Sequence, residues 1–166
     1  MALEPLSNIV WHSLTGPQSH LSAGTTRIRR FAPGFSQLIG ACERERPALD
    51  ELVPYCAPDE HFYVLGWSGE PPAGWQVAVD SFVDQYVWHH AMPEALDVSD
   101  IVRLDASHVQ RMIALTDLTR PGPFAERTIE FGEFYGILDD ERLLAMAGQR
   151  MHAGMLREIS GVCTHP

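Results

Sequence analysis

The 166 residues include no lysine: all 12 basic side chains are arginines, set against 22 acidic ones for a formal net charge of −10. That balance speaks against general binding to nucleic-acid phosphates. It suits a cationic acceptor such as an amine, and it equally suits a solvated surface that aids solubility. The lack of lysine itself carries no functional reading. Cysteine is scarce. Cys42, Cys56 and Cys163 are odd in number and contain no Cys-x-x-Cys pair. This speaks against a disulfide framework and for a reduced, cytoplasmic protein. No run of about 18 apolar residues occurs, so no membrane span is expected. The start, Met-Ala-Leu-Glu-Pro, lacks the basic-then-apolar order of a secretory signal. Metal-ligand spacing is missing too. His89 and His90 are adjacent, so on a strand their rings diverge. His12, His20, His61 and His108 are scattered, and no metal is expected.

What is present is an ordinary globular composition, 45% hydrophobic, in a length that suits one domain or two small ones. Leu6, Ile9, Val10 and Leu14 are spaced for a helix with one buried stripe, stopped by Thr15-Gly16-Pro17. The segment 26–31 reads as a short strand and 44–53 as a second helix, with Leu49, Leu52 and Val53 as its apolar face. Residues 61–65 form a compact aromatic strand. Trp75, Val77 and Val79 alternate with polar or small residues, which predicts a half-buried strand. Residues 82–88 continue in the same β-prone manner. Trp67, Trp75 and Trp88 read as core or interface anchors. Ala91-Met-Pro-Glu-Ala95 is the best linker, dividing the chain into units 1–95 and 96–166.

From Asp100 the pattern is regular. A strand at 101–104 leads to a helix ending near Thr119, capped by Asp105 or Ser107, with Val109, Met112, Ile113 and Thr116 as its stripe. Pro123 is placed to open a second, shorter helix. Strands follow at 133–138, 143–151 and 156–164. The order is β-α-α-β-β-β. The fold class expected is α+β: a mostly antiparallel sheet with flanking helices, plus a smaller α/β N-terminal unit.

Three phrases, in this order, resemble the GNAT superfamily of acetyl-CoA-dependent N-acetyltransferases, of the bacterial type with an extra N-terminal domain. They are Leu118-Thr-Arg-Pro-Gly-Pro-Phe124, the run from Gly136-Ile-Leu138 through the acidic turn to Leu144-Ala-Met-Ala-Gly148, and Glu158-Ile-Ser-Gly-Val-Cys-Thr-His-Pro166. The resemblance covers about 97–166, and the first half more loosely. In the family the last of these strands ends in Pro and runs into an Arg/Gln-x-x-Gly-x-Gly/Ala loop that holds the coenzyme pyrophosphate on backbone N–H groups. This chain stops at Pro166, so the resemblance implies a fold incomplete at its C-terminus, truncated before that loop. A ~70-residue unit is also near the lower limit for a lone core.

The resemblance further implies the site. By position, Val162, Cys163 and Thr164 match the residues that contact acetyl-CoA, whose pantetheine lies along exposed strand backbone like an added strand. The Val162 N–H is the implied donor to the thioester carbonyl. Alternation puts Glu158, Ser160, Val162 and Thr164 on one face, and Glu158 is the implied general base that strips a proton from an amine. Its alternative is an ion pair with Arg157 or Arg150. The 120–124 turn, with Arg127 and Glu130, would border the acceptor pocket. Phe124 would wall it, or else staple two helices together. A Cys163–His165 pair is formally possible, but no third orienting residue supports covalent catalysis. The partners implied are acetyl-CoA and a small-molecule or peptide amine, without nucleic acid or membrane. The alternative function is a non-catalytic module whose open last strand pairs with another chain, and a homodimer is a candidate state. A ligand-binding domain confined to 1–95 is a third reading.

Overall fold

The computed structural model describes residues 4–91, 94 and 98–166. Its frame is two four-stranded sheets. A 3₁₀ turn (Glu4–Asn8) leads into helix α1 (Ile9–Thr15), which buries Ile9, Val10 and Leu14 as their spacing predicts. Strands β1 (Ser22–Gly24), β2 (Ile28–Phe31) and β3 (Leu38–Ala41) are antiparallel neighbours. Helix α2 (Leu49–Leu52) precedes β4 (Tyr63–Val64), which pairs parallel with β3. All four residues of β3 are buried, as expected of an inner strand covered on both faces.

Several elements differ from the sequence expectation. The helix expected over 44–53 shrinks to α2 and a 3₁₀ turn (Val53–Tyr55). Pro47 interrupts it, because proline lacks the N–H that a helix interior needs, and Pro54 follows directly on its last residue. Leu49 and Leu52 are buried, but Val53 is exposed. The strands expected at 75–79 and 82–88 do not form. A β-prone segment becomes a strand only where a neighbour pairs its backbone groups. Here Val79, Phe82 and Tyr86 lie exposed instead. Trp67 and Trp75 do pack on the core of Ile28, Ile39, Leu49 and Leu52. Trp88 is exposed and meets the His90 ring edge-on at 5.1 Å. The linker and the boundary at 95/96 fall largely on residues outside those described.

The second sheet follows the prediction closely. Strand β5 (Ile101–Leu104), helix α3 (Val109–Thr119), β6 (Phe134–Asp139), β7 (Arg142–Ala153) and β8 (Leu156–Thr164) give an antiparallel sheet in the order β5-β6-β7-β8. Asp105 accepts the Ser107 N–H at 2.9 Å and caps the short 3₁₀ turn (Ala106–His108) that feeds α3. Met112, Leu115 and Thr116 are the buried line of α3, while Val109 and Ile113 are half-buried. Pro123 does not open a helix. The Thr128 hydroxyl accepts the Ala125 N–H at 2.8 Å and holds this segment as a turn, and the next 3₁₀ turn (Thr128–Phe131) begins only there.

The two sheets share a core. Ile9, Val10 and Leu14 of α1 pack with Phe31, Phe35 and Leu38, and with Phe131, Met151 and Ala153 from the second half. Polar ties cross the same seam: Gln18 Nε2 donates to the Arg150 carbonyl at 2.8 Å, and the buried Thr128 hydroxyl to the Phe35 carbonyl at 2.6 Å. The candidate site lies beside this seam.

Candidate active site

Strand β8 has β7 on one side and, among the described residues, no strand on the other. An edge of this kind presents unpaired N–H and C=O groups. The ladder with β7 is also interrupted. Met146 faces Cys163 and Gly148 faces Ser160, so Gly161 and Val162 together oppose Ala147 alone. This is a β-bulge, which leaves one residue out of the ladder and bends its strand. Gly161 sits at φ +61°, the left-handed region that a Cβ disfavours. The sequence reading passes over Gly161. A glycine inside a strand pattern is the signal for such a bulge.

The bulge corrects the expected faces. Ser160 pairs with Gly148 and Cys163 with Met146, so both point to the side of the second core. Glu158 shares a face with Ser160 by alternation. Val162 and Thr164 are shifted to the opposite face and lie exposed. The four residues expected on one face are thus divided, because one extra residue inverts a period of two.

Glu158 is half-buried and held by Arg150 in a bidentate pair, Nε to Oε2 at 2.8 Å and Nη2 to Oε1 at 2.5 Å. Arg157 instead donates to the Gly154 and Leu156 carbonyls. A carboxylate has about four lone-pair positions, so this pairing leaves it room to accept a further proton. Cys163 is buried, and burial pushes its thiol up. The thiol lies 3.4 Å from the Gly161 carbonyl, and His165 Nδ1 lies 2.9 Å from the Pro166 carbonyl. The two side chains do not pair, and a thiol kept protonated is a poor nucleophile.

Phe124 and Arg127 take different places. The Phe124 ring meets Phe134 edge-on at 5.9 Å. It also approaches the bulge: a Cβ on Gly161 would lie 3.9 Å from Phe124 Cδ2. It packs against the second core and also lines a cavity of about 170 Å³. Arg127 is exposed, bound to Glu130 at 2.7 and 2.8 Å, with its guanidinium 4.1 Å from the centre of the Phe35 ring. The Glu130 carboxyl is held below the ordinary value by that hydrogen bonding. Phe124 therefore spans bulge and cavity, while Arg127 lies outside the cavity lining.

The second core packs closely under the site. Phe134 lies over Gly148 on the neighbouring strand, where a Cβ would come within 2.1 Å of the ring. Among the described residues, no group of three or more His, Cys, Asp or Glu side chains is placed to hold a metal. Nor is any helix among them long and apolar enough to cross a membrane.

No protein-family model matches the chain, and no curated protein does. A solved structure does match: the crystal structure of a protein from Novosphingobium aromaticivorans DSM 12444, assigned as an acetyltransferase of the GNAT family. It is 32% identical, covers 98% of this chain and 72% of its own, and superposes with a TM-score of 0.75. With that identity over nearly the whole of this chain and most of the other, the chain belongs to the GNAT family of acetyltransferases.

Proposed function

We propose that the protein transfers an acetyl group from acetyl-CoA directly to an amine. The observation that carries this reading is the edge of β8, unpaired on one side among the described residues and bulged at Gly161. An extended amide-bearing arm such as pantetheine can bind such an edge as an added strand. Val162, Cys163 and Thr164 are the residues proposed to receive it, through backbone groups. The Val162 N–H is proposed to donate to the thioester carbonyl oxygen as negative charge gathers there.

Glu158 is proposed as the base. The amine nitrogen forms a bond to the carbonyl carbon, the carbon–sulfur bond breaks, and sulfur leaves with its electron pair. Glu158 takes the proton that nitrogen sheds. Arg150 fixes the carboxylate in orientation through its two-pronged grip. Phe124 is proposed as a wall of the acceptor pocket, and Arg127 as a support at its rim.

Calorimetric titration with acetyl-CoA tests the first step, and absence of binding refutes it. Glu158→Gln is expected to lower kcat by ~10²-fold or more while leaving coenzyme affinity intact. An unchanged kcat removes Glu158 from the chemistry. The same open edge also fits pairing with another chain. A stable dimer on size-exclusion that blocks acetyl-CoA would favour that assembly role.

A further inference from the structure

The ladder between β7 and β8 is interrupted a second time, at Glu158. Gln149 faces Ile159 and His152 faces Arg157, so Arg150 and Met151 together oppose Glu158 alone. The extra residue here lies on β7, whereas at Gly161 and Val162 it lies on β8. The two shifts are opposite, and the second restores the register that the first displaces. Glu158 therefore sits opposite one bulge and Val162 sits within the other.

A bulge takes backbone groups out of the ladder, and buried ones need other partners. At the β7 bulge those partners come from the first half of the chain. Strand β7 runs on past β6, whose first residue, Phe134, pairs with Gly148. Beyond that point Met151 and Ala153 are buried against Ile9, Val10 and Leu14 of α1. Gln18 and Ser13 are both buried at the same seam. Gln18 Nε2 donates to the Arg150 carbonyl at 2.8 Å. The His152 N–H donates to Ser13 Oγ at 3.0 Å and to Gln18 Oε1 at 3.2 Å. The Ser13 hydroxyl donates to Gln18 Oε1, and the Gln18 N–H donates to the Ser13 carbonyl at 3.1 Å.

One carboxamide thus holds the peptide groups on both sides of Met151. The apolar contacts of Met151 set how deep the strand lies. The hydrogen bonds set how its peptide planes are turned, because they are directional. Arg150 leaves the backbone at this point, and its guanidinium grips Glu158 with two prongs, Nε to Oε2 at 2.8 Å and Nη2 to Oε1 at 2.5 Å. A long side chain aims a carboxylate well only where its own base is fixed. Burying a hydroxyl and a carboxamide is costly unless both are paired, and here both are spent on the one bulge that faces Glu158.

We propose that Gln18, seconded by Ser13, is a positioning residue for acetyl transfer: it locks the β7 bulge, and through Arg150 it fixes the Glu158 carboxylate. The first half of the chain then contributes to the reaction without touching the substrate. The role of Glu158 as base rests on the acetyl-transfer reading above; the hold of Gln18 on Arg150 does not.

The Arg150 Nε–H reports the grip, since it donates to Glu158. Its exchange with solvent is followed by ¹⁵N NMR, with Glu158→Ala as the reference for a released arginine. Gln18→Met is expected to speed that exchange about tenfold, the equivalent of one net hydrogen bond. Ser13→Ala should act in the same direction by less, and it decides the matter by the same measurement if Gln18→Met does not fold. Acetyl transfer to n-butylamine is followed as release of free thiol. Gln18→Met is expected to lower kcat about tenfold while the Kd of acetyl-CoA holds. With Arg150→Met already in place, it should lower kcat no further, because it acts through Arg150. Unchanged exchange in the folded variants overturns the proposal, and a lowered thermal midpoint alongside it marks a merely structural cluster. Losses in kcat that add in the double variant overturn it as well. If acetyl-CoA does not bind the unaltered protein, the acetyl-transfer reading falls, and faster exchange in the variants still upholds the hold of Gln18 on the Arg150–Glu158 pair.

Discussion

Each sheet holds one bidentate arginine–glutamate pair, and the two pairs are built into different surroundings. Arg150 and Glu158 lie on neighbouring strands, β7 and β8, that a ladder already joins. Arg30 and Glu60 join β2 to a loop that has no ladder of its own, and Arg30 also satisfies two backbone carbonyls. An ion pair that duplicates a ladder can be lost with the strands still paired. An ion pair that replaces one cannot. The difference also separates roles: the first pair orients a candidate base, and the second forms the floor of a cavity.

The sharpest way to break this comparison is Arg30→Met. Removing one partner of a buried pair leaves an uncompensated charge, and a loss of about 3–5 kcal/mol is expected in urea unfolding. Arg150→Met should cost far less, and equal losses would mean that the ladder does not carry β8. Acid sharpens the contrast. Hydrogen bonding to Arg30 holds the Glu60 carboxyl below its ordinary value of 4.5. The folded state therefore favours the ionised form. Its contribution is complete above that ordinary value and is lost as pH falls through the lower folded value. Midpoints recorded between pH 6 and 3 should fall, and Glu60→Gln should remove that share of the slope.

Next in size is Gly148→Ala. Its Cβ would collide with the Phe134 ring, and overpacking of this kind costs about 1–3 kcal/mol. Gly161→Ala should cost about 1–2 kcal/mol, the penalty of a left-handed backbone for a residue with a Cβ. It should also weaken acetyl-CoA binding by calorimetry if the bulge shapes that site. Smallest is Arg150→Met, since the β7–β8 ladder keeps the two strands joined without the pair. Its effect should show instead in kcat.

Legibility follows the same divide. In the second half, α3 and β6–β8 were readable because their periodicity runs over six or more residues and is read locally. The strands of the first half have two to four residues. Ser22-Ala-Gly24 has no β signal of its own and pairs only because β2 lies beside it. The aromatic run at 82–88 has a strong signal and no neighbour. At the site, an ion pair of Glu158 with Arg150 or Arg157 was within reach of the residues alone, and the choice of Arg150 was not; Phe124 was set beside a pocket only by the family resemblance. Arg30 and Glu60 were out of reach, since nothing in their spacing marks them.

Apolar spacing, turn residues and the wording of the last strands were enough to specify the antiparallel sheet and its kinship, because those signals act between residues a few positions apart. The division of β8 between two faces, and the cavity that Phe124 lines together with Arg30 and Glu60, were decided only in three dimensions. A bulge is set by pairing with the neighbouring strand, and a cavity by the packing of segments some 90 residues apart in the chain.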